Sequence, residues 1–104
     1  MTKYCIVTTT CDKLEIANKI IDTLLKKRLV SCCQMSKVES SYWWKDEIVK
    51  EPEFLIQMKT KKDLFKEVEK EILGIHDYET CEIISYDIDE GNDKFLKWLE
   101  NEMK

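Results

Sequence analysis

Glycine, proline, histidine and arginine are scarce in this chain of 104 residues. With two glycines and one histidine, the chain has neither a glycine-rich loop for phosphate nor a pair of histidines at metal-binding spacing. No apolar run approaches the roughly 20 residues of a membrane helix, and the first residues lack the apolar segment of a signal peptide. These absences predict a cytoplasmic protein that does not insert into a membrane.

Charged residues are plentiful but nearly balanced in sign. They make up 37% of the chain, and the formal net charge is −4 at pH 7. Phosphate binding needs clustered basic side chains, whereas the lysines here alternate with glutamates. Nucleic acid is therefore not expected as a partner.

The five cysteines form no C-x-x-C pair, and their number is odd. A secreted disulfide framework is therefore disfavoured. In a reducing compartment such cysteines act as small buried apolar side chains, which is the interpretation favoured here.

The hydrophobic pattern predicts a single domain, residues 1–104, with mixed secondary structure. Strands are predicted at 3–9, 29–44, 54–59 and 81–88, and helices at 12–28, at 60–74 and from 91 onward. The order β-α-β-β-α-β followed by a helix is the split βαβ arrangement, in which both main helices cover one face of an antiparallel sheet. The predicted fold class is α+β.

Several residues indicate where elements begin, end or bend. Asp12 with Glu15 has the spacing of a capping box, Thr60 is placed to cap the second helix, and Gly74 suits a left-handed turn at its end. Pro52 lacks an amide hydrogen, so it is expected at a bulge or at an edge of the sheet.

Large aromatic side chains exceed what one small domain can bury easily. Tyr42, Trp43, Trp44 and Tyr86 fall on predicted strands whose two faces are both apolar. Because the two main helices cover only one face, the other is expected to pack against further copies of the chain.

Five segments resemble, in the same order, motifs of the CutA-like divalent-cation tolerance proteins. They are 28–33 (RLVSCC), 40–44 (SSYWW), 53–60 (EFLIQMKT), 76–82 (HDYETCE) and 91–98 (GNDKFLKW). The resemblance implies a ferredoxin-like subunit with a long β-hairpin in a homotrimer. It also implies a non-enzymatic role in the response to metal ions, with copper or another divalent ion weakly bound and no other cofactor. Asp46 stands where the family usually has a turn glycine, and aspartate still tolerates a left-handed conformation.

The motif at 76–82 contains the candidate metal ligands. His76, Cys81 and Glu82 offer nitrogen, sulfur and oxygen donors within seven residues, as zinc and copper sites do. The alternative is that His76 is an exposed loop histidine beside solvated acids.

Four further residues of the matching motifs are candidates for an intersubunit cleft: Tyr42, Trp44, Lys59 and Tyr78. A regulatory or scaffolding trimer that binds a small effector in that cleft is the alternative function. Lys59 could instead form a structural ion pair with Glu82.

An enzyme would need a nucleophile such as Cys11 or Cys81, activated by His76. The local sequence offers neither a third orienting group nor an oxyanion-hole turn, so the protein is predicted not to be an enzyme.

Overall fold

Four antiparallel strands form one sheet in this computed structural model, which describes residues 3–104. The elements are β1 (Tyr4–Cys11), α1 (Leu14–Lys26), β2 (Cys32–Trp44), β3 (Glu47–Lys61), α2 (Phe65–Ile75), β4 (Ile83–Asp87) and α3 (Asp93–Glu102), and a single 3-10 turn precedes α2. The strand order is β2-β3-β1-β4. The predicted α+β, ferredoxin-like arrangement is therefore confirmed.

The core lies between the sheet and the helices. Apolar residues recur along α1 and α2 with helical spacing, and every second residue of β1 and β3 faces the helices. Fully buried members of this cluster include Val7, Ile20, Leu24, Ile56, Met58, Val68, Ile72 and Leu99. The last of these comes from α3, so all three helices contribute to one core.

Strands β2 and β3 extend well past the rest of the sheet. They pair along the whole of β2, whereas β1 pairs only with residues 54–61 of β3. The residues beyond that point, 38–53, form a two-stranded hairpin that we call the arm. Its tip is a two-residue turn in which Lys45 and Asp46 both have positive φ, 50° and 64°, so the predicted tolerance of Asp46 is confirmed. Pro52 lies on the arm, where β3 has a neighbour on one side only, as expected of an edge proline.

The predicted helix caps are wrong. Helix α1 begins after Lys13 without a side-chain cap from Asp12, and Thr60 remains in β3, where its buried hydroxyl donates to the carbonyl of Leu29 at 2.6 Å. Gly74 lies inside α2 and has no positive φ. The helix ends one residue later because the backbone of His76 turns extended.

The face of the sheet opposite α1 and α2 carries apolar side chains that this subunit leaves uncovered. We call it the open face and define it by Ile6, Leu55, Ile84 and Tyr86, which alternation and register place on one side. Ile84 is 55% and Tyr86 47% exposed, and on the arm Trp43 is 71% exposed. The predicted surplus of apolar surface is confirmed.

Within residues 3–104, no helix combines the length and the apolar character needed to cross a membrane.

Candidate functional site

A cleft of about 470 Å³ opens between the arm and the loop that joins α2 to β4. Four glutamates line it: Glu51 and Glu53 from β3, and Glu79 and Glu82 from the loop. Among the described residues, 3–104, neither a lysine nor an arginine lines it. We call it the acidic cleft.

Strand alternation explains how the arm contributes to the cleft. Ser40, Tyr42 and Trp44 occupy alternate positions of β2, and Glu51 lies opposite Ser40 across the hairpin. Residues two apart on a strand point to the same side, so these side chains and Glu53 share one surface of the arm. The candidate cleft residues Tyr42, Trp44 and Tyr78 all line it.

Two tyrosine–glutamate pairs organise the carboxylates. The Tyr42 hydroxyl donates to Glu51 Oε1 at 2.5 Å, and the Tyr78 hydroxyl donates to Glu53 Oε2 at 2.6 Å. The hydrogen bond to Glu51 raises the pKa of Tyr42 to about 12, and burial followed by the bond to Glu53 raises the pKa of Tyr78 well above its ordinary value. Both phenols therefore remain hydrogen-bond donors at neutral pH.

His76 lies behind the cleft and not in its lining. Its side chain is 1% exposed, so the interpretation as an exposed loop histidine is wrong. Nε2 is 2.7 Å from the carbonyl oxygen of Thr10, which can only accept, so Nε2 carries the hydrogen. Nδ1 accepts the backbone N–H of Tyr78 at 3.2 Å. Both ring nitrogens are thus already engaged.

The other two candidate metal ligands lie in different surroundings. Glu82 lines the cleft and accepts a long hydrogen bond, 3.5 Å, from the Thr8 hydroxyl. Cys81 is half-buried outside the lining, and burial raises the pKa of its thiol. Nowhere in the described part of the chain do three or more His, Cys, Asp or Glu residues gather in a group able to hold a metal ion.

Lys59 does not line the cleft of the single subunit. Its ammonium group donates to Gln34 Oε1 at 2.7 Å. Among the ion pairs of residues 3–104, none joins Lys59 to Glu82, so the alternative of a structural pair between them is also wrong.

Sequence reasoning missed Glu51, Glu53 and Glu79 as cleft residues. A signal for the first two was present, because they flank Pro52 at the alternating positions of a predicted edge segment. That this segment lines the cleft follows only from the fold, which brings the arm against the loop after α2.

The fold and the site together define a class: a ferredoxin-like α+β subunit with an overlong hairpin arm and an acidic cleft at its base. The sequence model of the CutA1 divalent ion tolerance protein family matches residues 5–102. The chain belongs to this family, as the motifs predicted.

Relatives and solved structures agree along nearly the whole length. The divalent-cation tolerance protein CutA of Pyrococcus horikoshii is 38% identical over 99 residues, which cover 95% of this chain and 97% of that protein. The crystal structure of its CutA1 superposes with a TM-score of 0.91 at 37% identity, covering 96% and 98% of the two chains. The Archaeoglobus fulgidus protein, described as a periplasmic divalent cation tolerance protein, gives a TM-score of 0.94 at 31% identity and covers 97% and 99%.

Proposed function

We propose that this chain acts as a non-enzymatic homotrimer that binds divalent metal ions, copper(II) among them, in the acidic cleft. The observation that carries the proposal is the lining itself, in which the described part of the chain places four glutamates and no basic side chain. A concave surface lined by one sign of charge concentrates ions of the opposite sign.

The chemistry of the donors narrows the choice of ion. The cleft offers carboxylate and hydroxyl oxygens, while the His76 nitrogens are engaged elsewhere. Oxygen ligands suit manganese, calcium and magnesium better than they suit soft copper(I). Weak binding is expected of the single subunit, because within residues 3–104 no three such ligands gather closely enough to hold an ion, and two of the glutamates already accept hydrogen bonds from tyrosines.

The trimer is supported by the open face. Exposed side chains there, Ile84 and Tyr86, belong to the strand β4, and Trp43 is exposed on the opposite side of the arm. Apolar surface of this kind is usually covered by a partner, and a second copy is the default partner.

Neither candidate nucleophile is activated, which supports a non-enzymatic role. Burial raises the pKa of Cys11 and of Cys81, so neither thiol is held as a reactive thiolate. His76 has no free nitrogen with which to act as their base.

Calorimetric titration with Mn²⁺ and Cu²⁺ tests the metal-binding proposal. Glu53→Gln keeps an oxygen that can accept from Tyr78 and removes the charge, so affinity should fall about tenfold or more. Glu69→Gln on α2, outside the cleft lining, is the matched control and should bind as the unmodified protein does. No binding heat, or equal affinity in the two variants, would remove the metal-binding role.

A small cationic effector is the second candidate, because the cleft volume falls within the range of about 300–1,000 Å³ that is usual for small-molecule sites. Trp44, Tyr42 and Tyr78 in the lining are aromatic residues of the kind that bind ammonium groups. In a thermal-shift screen, stabilisation by amines and not by Mn²⁺ would favour this candidate, and the reverse pattern would favour the first.

A further inference from the structure

We infer that His76 is a positioning residue for the acidic cleft, which fastens the loop after α2 to the end of β1 and, through Tyr78, holds the Glu53 carboxylate in place. The inference rests on the proposed function of the cleft only for its consequence on ion affinity. The hydrogen-bonded chain itself stands on the geometry of the subunit.

The first link joins the loop to the sheet. The buried imidazole donates from Nε2 to the carbonyl of Thr10, the penultimate residue of β1 and itself part of the cleft lining. Since the ring is 1% exposed, water does not compete well for this bond.

The second link joins the imidazole to Tyr78, the cleft residue two positions further along the loop. Nδ1 accepts the backbone N–H of Tyr78, and the two rings lie 4.6 Å apart between centroids at a tilt of 57°. The neutral ring with hydrogen on Nε2 is the only form that satisfies both links, because the Thr10 carbonyl needs a donor and the Tyr78 amide needs an acceptor. His76 therefore sets both the position of the Tyr78 backbone and the surface on which its ring rests.

The third link reaches the cleft. The Tyr78 hydroxyl donates to Glu53 Oε2 at 2.6 Å, and Glu53 is only 6% exposed. A carboxylate with so little access to water depends strongly on such a donor. A shift of the loop would leave it with a poorer partner and a less defined direction.

The second tyrosine–glutamate pair provides an internal comparison. Tyr42 and Glu51 both lie on the arm, at β2 and β3 positions tied together by the hairpin's own register. No histidine is needed to hold that pair. Changes at His76 should therefore disturb the Tyr78–Glu53 pair and leave the Tyr42–Glu51 pair unchanged.

Three variants separate the links. His76→Asn keeps an acceptor for the amide two residues on, as in an Asx-turn, but is too short to reach Thr10. His76→Gln retains a donor with the reach of Nε2 and loses the turn. Tyr78→Phe removes the last link alone.

The first experiment needs no metal. Hydroxyl-proton exchange of the tyrosines is followed by NMR on protein labelled at the tyrosine ¹³Cζ, with Tyr78→Phe for assignment. In the unmodified protein, the Tyr78 hydroxyl should exchange more slowly than the Tyr42 hydroxyl. In both His76 variants, exchange at Tyr78 should be at least severalfold faster than in the unmodified protein, and exchange at Tyr42 should not change. Equal exchange at the two sites in the unmodified protein, or exchange at Tyr78 that ignores both His76 variants, would overturn the inference.

The second experiment is a double-mutant cycle on Mn²⁺ affinity. A hydrogen bond of ordinary strength corresponds to about a three- to tenfold loss on His76→Gln or His76→Asn. In the Tyr78→Phe background the same changes should cost nothing further, because the link through which they act is gone. Additive losses would overturn the inference. If Mn²⁺ does not bind at all, the proposed function fails, and the hydroxyl exchange alone decides the role of His76.

Discussion

Replacing Ile84 with lysine places a charge on the open face, and it should dissociate the proposed trimer without unfolding the subunit. Ile84 is 55% exposed in the subunit and lies on β4, opposite Thr8 of β1. The lysine is easily solvated in a free subunit, whereas an assembled one would have to bury it.

The size of the effect follows from the exposed fraction. Full burial of an isoleucine contributes about 1.5–3 kcal/mol, so the part that association can still bury contributes about 0.8–1.6 kcal/mol per subunit. Over three subunits the loss is about 2.5–5 kcal/mol, and desolvation of three ammonium groups brings it to at least about 5 kcal/mol. The dissociation constant of the trimer therefore rises more than a thousandfold. Because that constant has units of concentration squared, the protein concentration at the dissociation midpoint rises by about fiftyfold.

Sedimentation velocity over a dilution series measures that midpoint. Leu73→Lys is the matched control, because Leu73 is 57% exposed but lies on α2, on the helical side of the sheet. It should assemble as the unmodified protein does. If the unmodified protein is a folded monomer at micromolar concentration, or if the two lysine variants assemble equally well, the open face is not the contact surface.

Three further predictions concern stability and reactivity. Hydrogen bonds from Lys3, Tyr4 and Lys61 lower the pKa of Glu100 to about 2, so its contribution to stability is complete above the usual pKa of a glutamate and is lost as pH falls towards 2. Its side chain is 32% exposed, which leaves about 1 kcal/mol after solvent screening. Glu100→Gln should cost that much in urea unfolding at neutral pH and almost nothing near pH 2, and an equal cost at both would contradict it. Met58→Ala should cost about 3 kcal/mol because the side chain is fully buried, and a loss below about 1 kcal/mol in the same assay would refute this. Burial raises the pKa of Cys33 to about 12, so iodoacetamide at pH 8 should modify it at least about a hundredfold more slowly than free cysteine, and rapid labelling seen by mass spectrometry would show that the thiol is accessible.

The order of elements and the core were predictable from periodicity. Apolar residues at helical spacing in α1, such as Ile20 and Leu24, are buried as the pattern requires, and the antiparallel order follows from the split βαβ arrangement. Element ends were less predictable. Asp12 has the spacing of a helix cap but makes no capping hydrogen bond. The residue at which α1 begins depends on the direction in which the chain leaves β1, which the local sequence does not show.

The candidate site was predictable in its location and not in its chemistry. The motif around Tyr42 and that around Tyr78 do meet at one cleft. The sequence shows that His76 carries two nitrogen donors and so predicts a ligand, but it does not show that Nε2 is engaged by the carbonyl of Thr10, which lies 66 positions earlier. Glu53 was overlooked for the same reason, because its partner belongs to a loop 25 residues away.

The proposed metal site and the proposed contact surface are physically joined, which determines how their tests must be interpreted. Thr8 lies opposite Ile84 in the β1–β4 register, and its hydroxyl donates to Glu82 in the cleft. An assembly formed through the open face therefore brings a neighbour close to cleft carboxylates, where it can add ligands or exclude water. Loss of Mn²⁺ affinity in Ile84→Lys has two physical sources, the added positive charge and the lost neighbour. Dilution of the unmodified protein below its association midpoint changes only the second, so affinity measured across that midpoint shows whether one subunit is enough to form the site.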